Sequence, residues 1–466
     1  MRFVTTKSVQ PFDPSARSGS SRAETRDDPS AGSGPPAVSF AFALFEGIAP
    51  DGGLYVPESI PRWPMEALAK LPSMTLADVG ARVLQPFVDE LDYDALSSIV
   101  EEALSFPIPL VEVESGIYAL ELFHGPTLAF KDVGARVMAR LMAALFQGDN
   151  PLTILVATSG DTGSAVAHAF HEVPHTRVVI LYPKGRISPT QEAQLTMFNG
   201  EETNVRAYAT AGSFDDCQRL SKAAFADPVL SRRANLTSAN SINIGRLLPQ
   251  MIYYAHAIGQ LAAQAGVAQD VSPAVFSTPS GNFGNLTAGL MAKRAGMNVR
   301  QFVAATNAND VVPEYLVSGR YKPRPSIHTV ANAMDVGNPS NFDRLMWLYG
   351  GDLEGIRRDV AGSRHEDDEV RATIRTVHEE RGYLLDPHSA IAYLGLKKSR
   401  VGAGFGPTAP GVFLATAHPA KFAEIVEPVI GRTIPKPQPL VDALARSGQI
   451  LEIDATLEAV EKVLGP

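Results

Sequence analysis

The sequence predicts an α/β protein built on a mostly parallel sheet. Short apolar runs without polar interruption alternate with segments of helical periodicity, as expected of strands covered on both faces and joined by helical crossovers. Two of these runs end in glycine-rich turns that lead straight into a helix. The length of 466 residues, with 45% hydrophobic and 20% charged residues, suits a large two-domain enzyme or about three domains of ~150 residues.

The elements follow in order. Residues 8–36, rich in Ser, Pro and Gly, have no apolar stretch and are expected to be a disordered insertion or linker. They lack the apolar core of a secretory signal, and Asp13, Glu24, Asp27 and Asp28 do not suit a transit peptide. VSFAFALFEGIAPDGGLYVPESIP reads as a short helix, a turn and a strand halted by prolines, with helical patterns then running to about residue 104. FPIPLVEVESGIYALELF looks extended, and Asp132 to Phe146 is helical. LTILVA (152–157), RVVILYP (177–183), Ala274–Ser277, QFVAATN (301–307) and the start of GVFLATAHPAKF are strands. SAVAHAF, TQEAQLTMF and LTAGLMAKRAG supply intervening helices. The stretch 310–395 is more charged and is expected to form helices decorating the core, its charge run a solvated face.

Composition excludes several classes. With 41 Lys+Arg against 50 Asp+Glu, the net charge of −9 argues against a nucleic-acid partner. No apolar run approaches the ~18 residues of a membrane span. A single cysteine, Cys217, excludes an internal disulfide and a Cys-based zinc site, and fits a reducing compartment. In FDDCQRL it sits beside acids that disfavour a thiolate, so it reads as structural. His171-Glu172-Val173-Pro174-His175 matches the HExxH zinc pattern, but Pro174 is incompatible with the continuous helix that motif needs. GAGFG (402–406) follows no strand and precedes Pro407, so it reads as a loop rather than a dinucleotide site. The chain has no GxxxxGK[ST] phosphate loop.

Two glycine turns are better placed. TSGDTGSA (158–165) and TPSGNFGN (278–285) each follow an apolar strand and open a helix, where free backbone N–H groups favour an anion. Lys131, in HGPTLAFKD, follows Leu128-Ala129-Phe130 and begins a helix. Apolar surroundings would lower its pKa and make its amine nucleophilic, as a Schiff-base lysine requires. The plainer alternative is a snorkelling lysine paired with Asp132 or another acid. The combination of lysine and two anion-binding turns suggests pyridoxal 5'-phosphate (PLP), whose aldehyde takes a lysine and whose phosphate takes a helix N-terminus.

At MRFVTT, SFAFALFEGIAPDGGLYVPE, LFHGPTLAFKD, ATSGDTGSA, TSANSINIGR, TPSGNFGN and ATAHPAKF the chain closely resembles the threonine synthase family, long-form enzymes of PLP fold type II. The resemblance implies two α/β lobes with the cofactor between them and an N-terminal segment packed outside. It assigns 1–105 to that segment and 106–466 to the PLP-binding core, with the smaller lobe at about 132–245. It makes Lys131 the lysine that carries PLP, Gly281, Asn282, Phe283, Gly284 and Asn285 the phosphate cradle, and Thr416 the partner of the pyridine nitrogen. Asp161 would lie near the phenolic oxygen and share a proton with it. Ser159, Gly160, Thr162 and Gly163 would hold the substrate carboxylate, and Asn240, Ser241 and Arg246 its phosphate. The implied reaction converts O-phospho-L-homoserine and water to L-threonine and phosphate, in a cytoplasmic monomer or homodimer with neither metal nor nucleic acid. A phosphohomoserine lyase and a catalytically silent PLP-binding protein are the alternatives.

Overall fold

A computed structural model describes residues 1–7, 37–158, 160–200, 202–265, 272–402, 409–446 and 448–465. The 8–36 insertion, Ser159 and most of the GAGFG stretch lie outside them. The strands begin with β1 (Phe3–Thr5), β2 (Tyr55–Pro57), β3 (Leu110–Glu114) and β4 (Ile117–Glu121). β5 (Leu152–Ala157), β6 (Thr176–Pro183), β7 (Val205–Thr210) and β8 (Leu236–Thr237) follow. β9 (Ala274–Pro279), β10 (Val299–Thr306), β11 (Val360–Arg364), β12 (Gly411–Ala415) and β13 (Leu451–Ile453) complete the set.

Two large sheets result. A six-stranded sheet has the order β11-β10-β9-β12-β4-β3, parallel throughout except where edge strand β3 runs antiparallel to β4. A five-stranded, all-parallel sheet has the order β13-β7-β6-β5-β8. β1 and β2 form a small antiparallel pair.

The unbroken apolar runs are explained by covering on both faces. In β5 and β6, Ile154, Val156, Val178 and Ile180 enter the main core, while Leu155, Ala157, Val179 and Leu181 enter a second cluster with Cys217 and Leu464. In the larger sheet Phe276, Phe302 and Leu414 face the main core, and Val275, Val303 and Phe413 face a third cluster. Because side chains alternate faces, a strand buried on both sides has no solvent face to mark with polar residues.

Three expectations change. The 310–395 stretch is not helical throughout: β11 pairs with β10 at the sheet edge. β7 and β13, which carry no strong apolar signal, extend the smaller sheet. The N-terminal segment is not merely an outer layer, since Phe3, Phe40 and Leu44 share the main core with Met138, Ile244 and Leu247. The HExxH match fails for the expected reason. The helix Asp161–Phe170 ends at His171, and Glu172 and His175 are left-handed at φ 61° and 56°. Cys217 is buried, and burial pushes its thiol up to about 11, which suits an inert core residue.

Candidate active site

Four strands end in turns that carry the candidate site residues. Beyond β4 comes the turn that leads to the helix Lys131–Leu145, beyond β5 the turn to Asp161–Phe170, and beyond β9 the turn to Gly284–Arg294. Beyond β12 comes Thr416 and the short helix Pro419–Phe422. Ligands of open α/β sheets bind at such carboxyl ends.

Lys131 opens its helix. Before it, Leu128 adopts a left-handed φ of 58°, and the N–H of Phe130 donates to Thr416 O at 2.8 Å, which anchors the turn to β12. Asp132 does not pair with Lys131; it is buried and accepts from the N–H and Oγ1 of Thr127 at 2.9 and 2.7 Å. Lys131 instead faces Asp161, Nζ to Oδ2 3.8 Å, with 16% of its side chain exposed. Burial pushes its ammonium below the usual lysine range; Asp161 opposes the shift, and Lys421 and Arg246 add to it.

Asp161 is buried with two lysines beside it. Burial alone would raise its carboxyl, but Lys421 and Lys131 outweigh burial and hold it well below the usual carboxylate range. Lys421 Nζ lies 2.9 Å from Asp161 Oδ1 and gives the buried carboxylate a counter-cation. Gln191 Nε2 also donates to Asp161 Oδ1 at 3.3 Å.

Both glycine turns present open donors. Thr158 Oγ1 accepts the N–H groups of Gly160 and Gly163, while those of Asp161 and Thr162 meet no acceptor among the described residues. Gly160 has a φ of +134°, and a Cβ there would lie 2.5 Å from Gln191 Cδ. Gly160→Ala is therefore expected to lose about 2–4 kcal/mol from backbone strain and overpacking. Thermal unfolding checks this, and an unchanged Tm would show that the turn relaxes freely. In the second turn Phe283 is left-handed at φ 62°, and the N–H groups of Gly281 to Asn285 find no acceptor among the described residues. At Gly281 a Cβ would sit 3.0 Å from Met334 Cα, a close approach that a side chain here would crowd. The side chains of Asn282 and Asn285 are turned to the protein: Asn282 Oδ1 accepts from Ser340 N, and Asn285 Nδ2 donates to Pro279 O. The cradle is thus made of backbone, and it fits a phosphate.

Thr416 is buried at the end of β12, and its hydroxyl has no partner among the described residues, which fits a ring-nitrogen partner. Arg246 is buried in the short helix Ile244–Leu247. Its Nη1 donates to Ala239 O at 2.6 Å, but its buried Nε has no partner among the described residues. Burial lowers its guanidinium to about 10. Gly134 allows this helix to press against the lysine helix, since a Cβ there would lie 2.8 Å from Arg246 O. Asn240 and Ser241 precede Arg246 and are half-buried, with no side-chain hydrogen bond among the described residues. A buried guanidinium with an open donor, flanked by two free polar side chains, can take a dianion.

Sequence reading missed two residues. Lys421, the lysine of ATAHPAKF, carries no local mark of a site residue. Arg344, fully buried, donates to Tyr55 O, Ile242 O and Asn341 Oδ1 at 3.0, 2.6 and 2.8 Å. Asn341 Nδ2 in turn donates to Asn282 O at 3.1 Å, so Arg344 ties the N-terminal segment, the 240–246 loop and the phosphate cradle together. Nothing local in NFDRLMW marks it.

A largely buried lysine facing the helix start at Asp161, a second glycine turn with open N–H groups, and a buried threonine at the end of β12 are the parts of a PLP-dependent enzyme of fold type II. Residues 104–417 match the family of pyridoxal-phosphate-dependent enzymes, residues 27–104 the threonine synthase N terminus, and residues 389–464 the threonine synthase C-terminal family. The chain belongs to the threonine synthase family. It is 46% identical to threonine synthase of Haemophilus influenzae, covering 86% of this chain and 91% of that one. It is 43% identical to that of Escherichia coli, covering 87% and 91%. The crystal structure of threonine synthase from Escherichia coli superposes with TM-score 0.86 at 38% identity, covering 100% of this chain and 99% of that one. A PLP-bound threonine synthase from Brucella melitensis gives 0.87 at 35% identity, covering 100% and 98%.

Proposed function

We propose that this PLP-dependent threonine synthase acts on O-phospho-L-homoserine, adding water to yield L-threonine and phosphate. The observation that carries the reading is the pair of anion grips beside Lys131: open N–H groups at the start of Asp161–Phe170, and the buried, incompletely bonded Arg246. A substrate with a carboxylate at one end and a phosphate at the other matches that pair. Bound PLP supplies an electron sink for carbanion chemistry at the substrate's Cα and Cβ. The residues 281–285 hold its phosphate, Thr416 meets its ring nitrogen, and Lys131 carries it.

The 160–163 turn orients the substrate carboxylate. Lys131, held toward its neutral amine by burial, moves protons at Cα and Cβ. Asn240, Ser241 and Arg246 bind the phosphate and stabilise its charge as it leaves from Cγ. Residues 1–105 form the N-terminal unit and 106–466 the catalytic core, with the smaller lobe at about 132–245. No described helix is long and apolar enough to cross a membrane; a cytoplasmic monomer or homodimer is the arrangement we favour.

The test is product analysis of the holoenzyme with O-phospho-L-homoserine. Threonine and phosphate in equal amounts are expected. An unsaturated or keto acid in place of threonine would mean elimination without hydration, the lyase alternative. No turnover by a PLP-loaded chain would favour a silent binding protein.

A further inference from the structure

The site contains a second buried lysine that the reaction above does not use. Lys421 has a fully buried side chain, and its Nζ donates to Thr127 O at 2.8 Å and lies 2.9 Å from Asp161 Oδ1. Lys131 is 3.8 Å from the other oxygen of the same carboxylate, beyond hydrogen-bond length. Two lysines therefore compete for one buried acid, and Lys421 holds it. Lys421 lies past residue 417, where the match to PLP-dependent enzymes ends, and within 389–464, the match to the threonine synthase C-terminal family. The cation thus comes from the segment that matches the threonine synthase C-terminal family.

The other charges nearby do not change this balance. Asp132 is occupied by Thr127. Arg246 is a further cation near Lys131, and Arg136 a cation near Asp132. His388, which also acts on Asp161, is bonded to Asp386 at 2.6 Å. Asp161 is the one carboxylate within ion-pair distance of Lys131 among the described residues. Were Lys421 neutral, Asp161 would be left to Lys131 alone and would hold it as an ammonium, because a buried carboxylate without a counter-charge is strongly disfavoured.

We propose that Lys421 is a positioning residue: it neutralises Asp161 and so leaves Lys131 free to lose its proton. An ammonium has no lone pair, so this decides whether Lys131 can act. In taking up the cofactor, Lys131 Nζ forms a bond to the aldehyde carbon and gives up its two protons, and the aldehyde oxygen leaves as water. This inference rests on Lys131 carrying PLP, as proposed above.

The test follows the pH dependence of PLP attachment by absorbance, in the full chain stripped of cofactor and titrated with PLP. The acid limb of kcat in the holoenzyme is a second readout. Lys421→Gln keeps hydrogen-bonding atoms but removes the charge, and should move the attachment midpoint to higher pH by about 1–2 units. Lys421→Arg should keep the wild-type midpoint. Asp161→Asn should move it to lower pH, since Lys131 then faces only cations. The double variant Lys421→Gln/Asp161→Asn, neutral at both positions, should return close to wild type; a purely structural role for Lys421 would not produce such recovery. An unmoved or lowered midpoint in Lys421→Gln overturns the proposal, as does a double variant whose midpoint stays displaced. If Lys421→Gln fails to fold, the double variant set against Asp161→Asn decides: adding Lys421→Gln must raise the midpoint. Mass spectrometry of the borohydride-reduced wild-type chain separates the two readings. Attachment at a lysine other than 131 overturns both, whereas attachment at Lys131 with unmoved midpoints overturns only the role of Lys421.

Discussion

Lys131→Ala is expected to abolish covalent attachment of PLP and to lower turnover by about a thousandfold or more, since the variant loses both the carrier amine and the group that moves protons at Cα and Cβ. The fold should survive. Among the described residues the only ion pair of the Lys131 side chain is the 3.8 Å one with Asp161, and the turn before it is held by Thr127, Asp132 and the Phe130 to Thr416 bond. PLP should still bind non-covalently, because the N–H cradle at 281–285 is untouched. The absorbance of the bound cofactor will change accordingly, and borohydride will no longer fix it to the chain. Continued fixation would point to another lysine, and Lys421, the second buried lysine of the site, would be the one to examine.

Arg246→Ala is expected to lower kcat/KM for phosphohomoserine by about 10²–10³-fold, the range for losing a preorganised donor at a site of developing charge. The loss should appear in kcat as well as KM, because the contact strengthens while phosphate departs. PLP content should stay normal, since the cofactor cradle is built from a different turn. Arg246→Lys should recover only part of the activity: an ammonium supplies charge but not the planar fork of donors. Circular dichroism must accompany the kinetics, because removing the guanidinium also frees Ala239 O. Near-normal kinetics in a folded, PLP-loaded Arg246→Ala enzyme would take this residue out of the site.

Much of the fold was legible because doubly buried strands and glycine turns leave local marks. LTILVA, RVVILYP and GVFLA became β5, β6 and β12, and the two glycine turns open helices as expected. The strands that escaped notice have no such mark. β11, with Gly362 and Ser363, is a strand because it pairs in register beside β10, and β13 because it meets β7. Edge strands take their conformation from a neighbour more than from their own residues.

The same division runs through the site. Lys131 and the two turns could be picked out from residues adjacent in the chain, since an apolar-flanked lysine and a strand–glycine–helix turn are local patterns. The sequence by itself determined the α/β class and the order of turns, and marked Lys131 as the candidate lysine. Only the tertiary structure decided which charges meet. Lys421 bonds to Thr127, 294 residues away, and Arg344 to Tyr55, 289 residues away. Asp161 could be placed in its turn from the sequence, but the buried cation beside it, Lys421, comes from the far end of the chain. Such partners are chosen by the packing of distant segments, because a buried charge must be matched by whichever group the fold brings within a few ångströms, and no local pattern records which group that is.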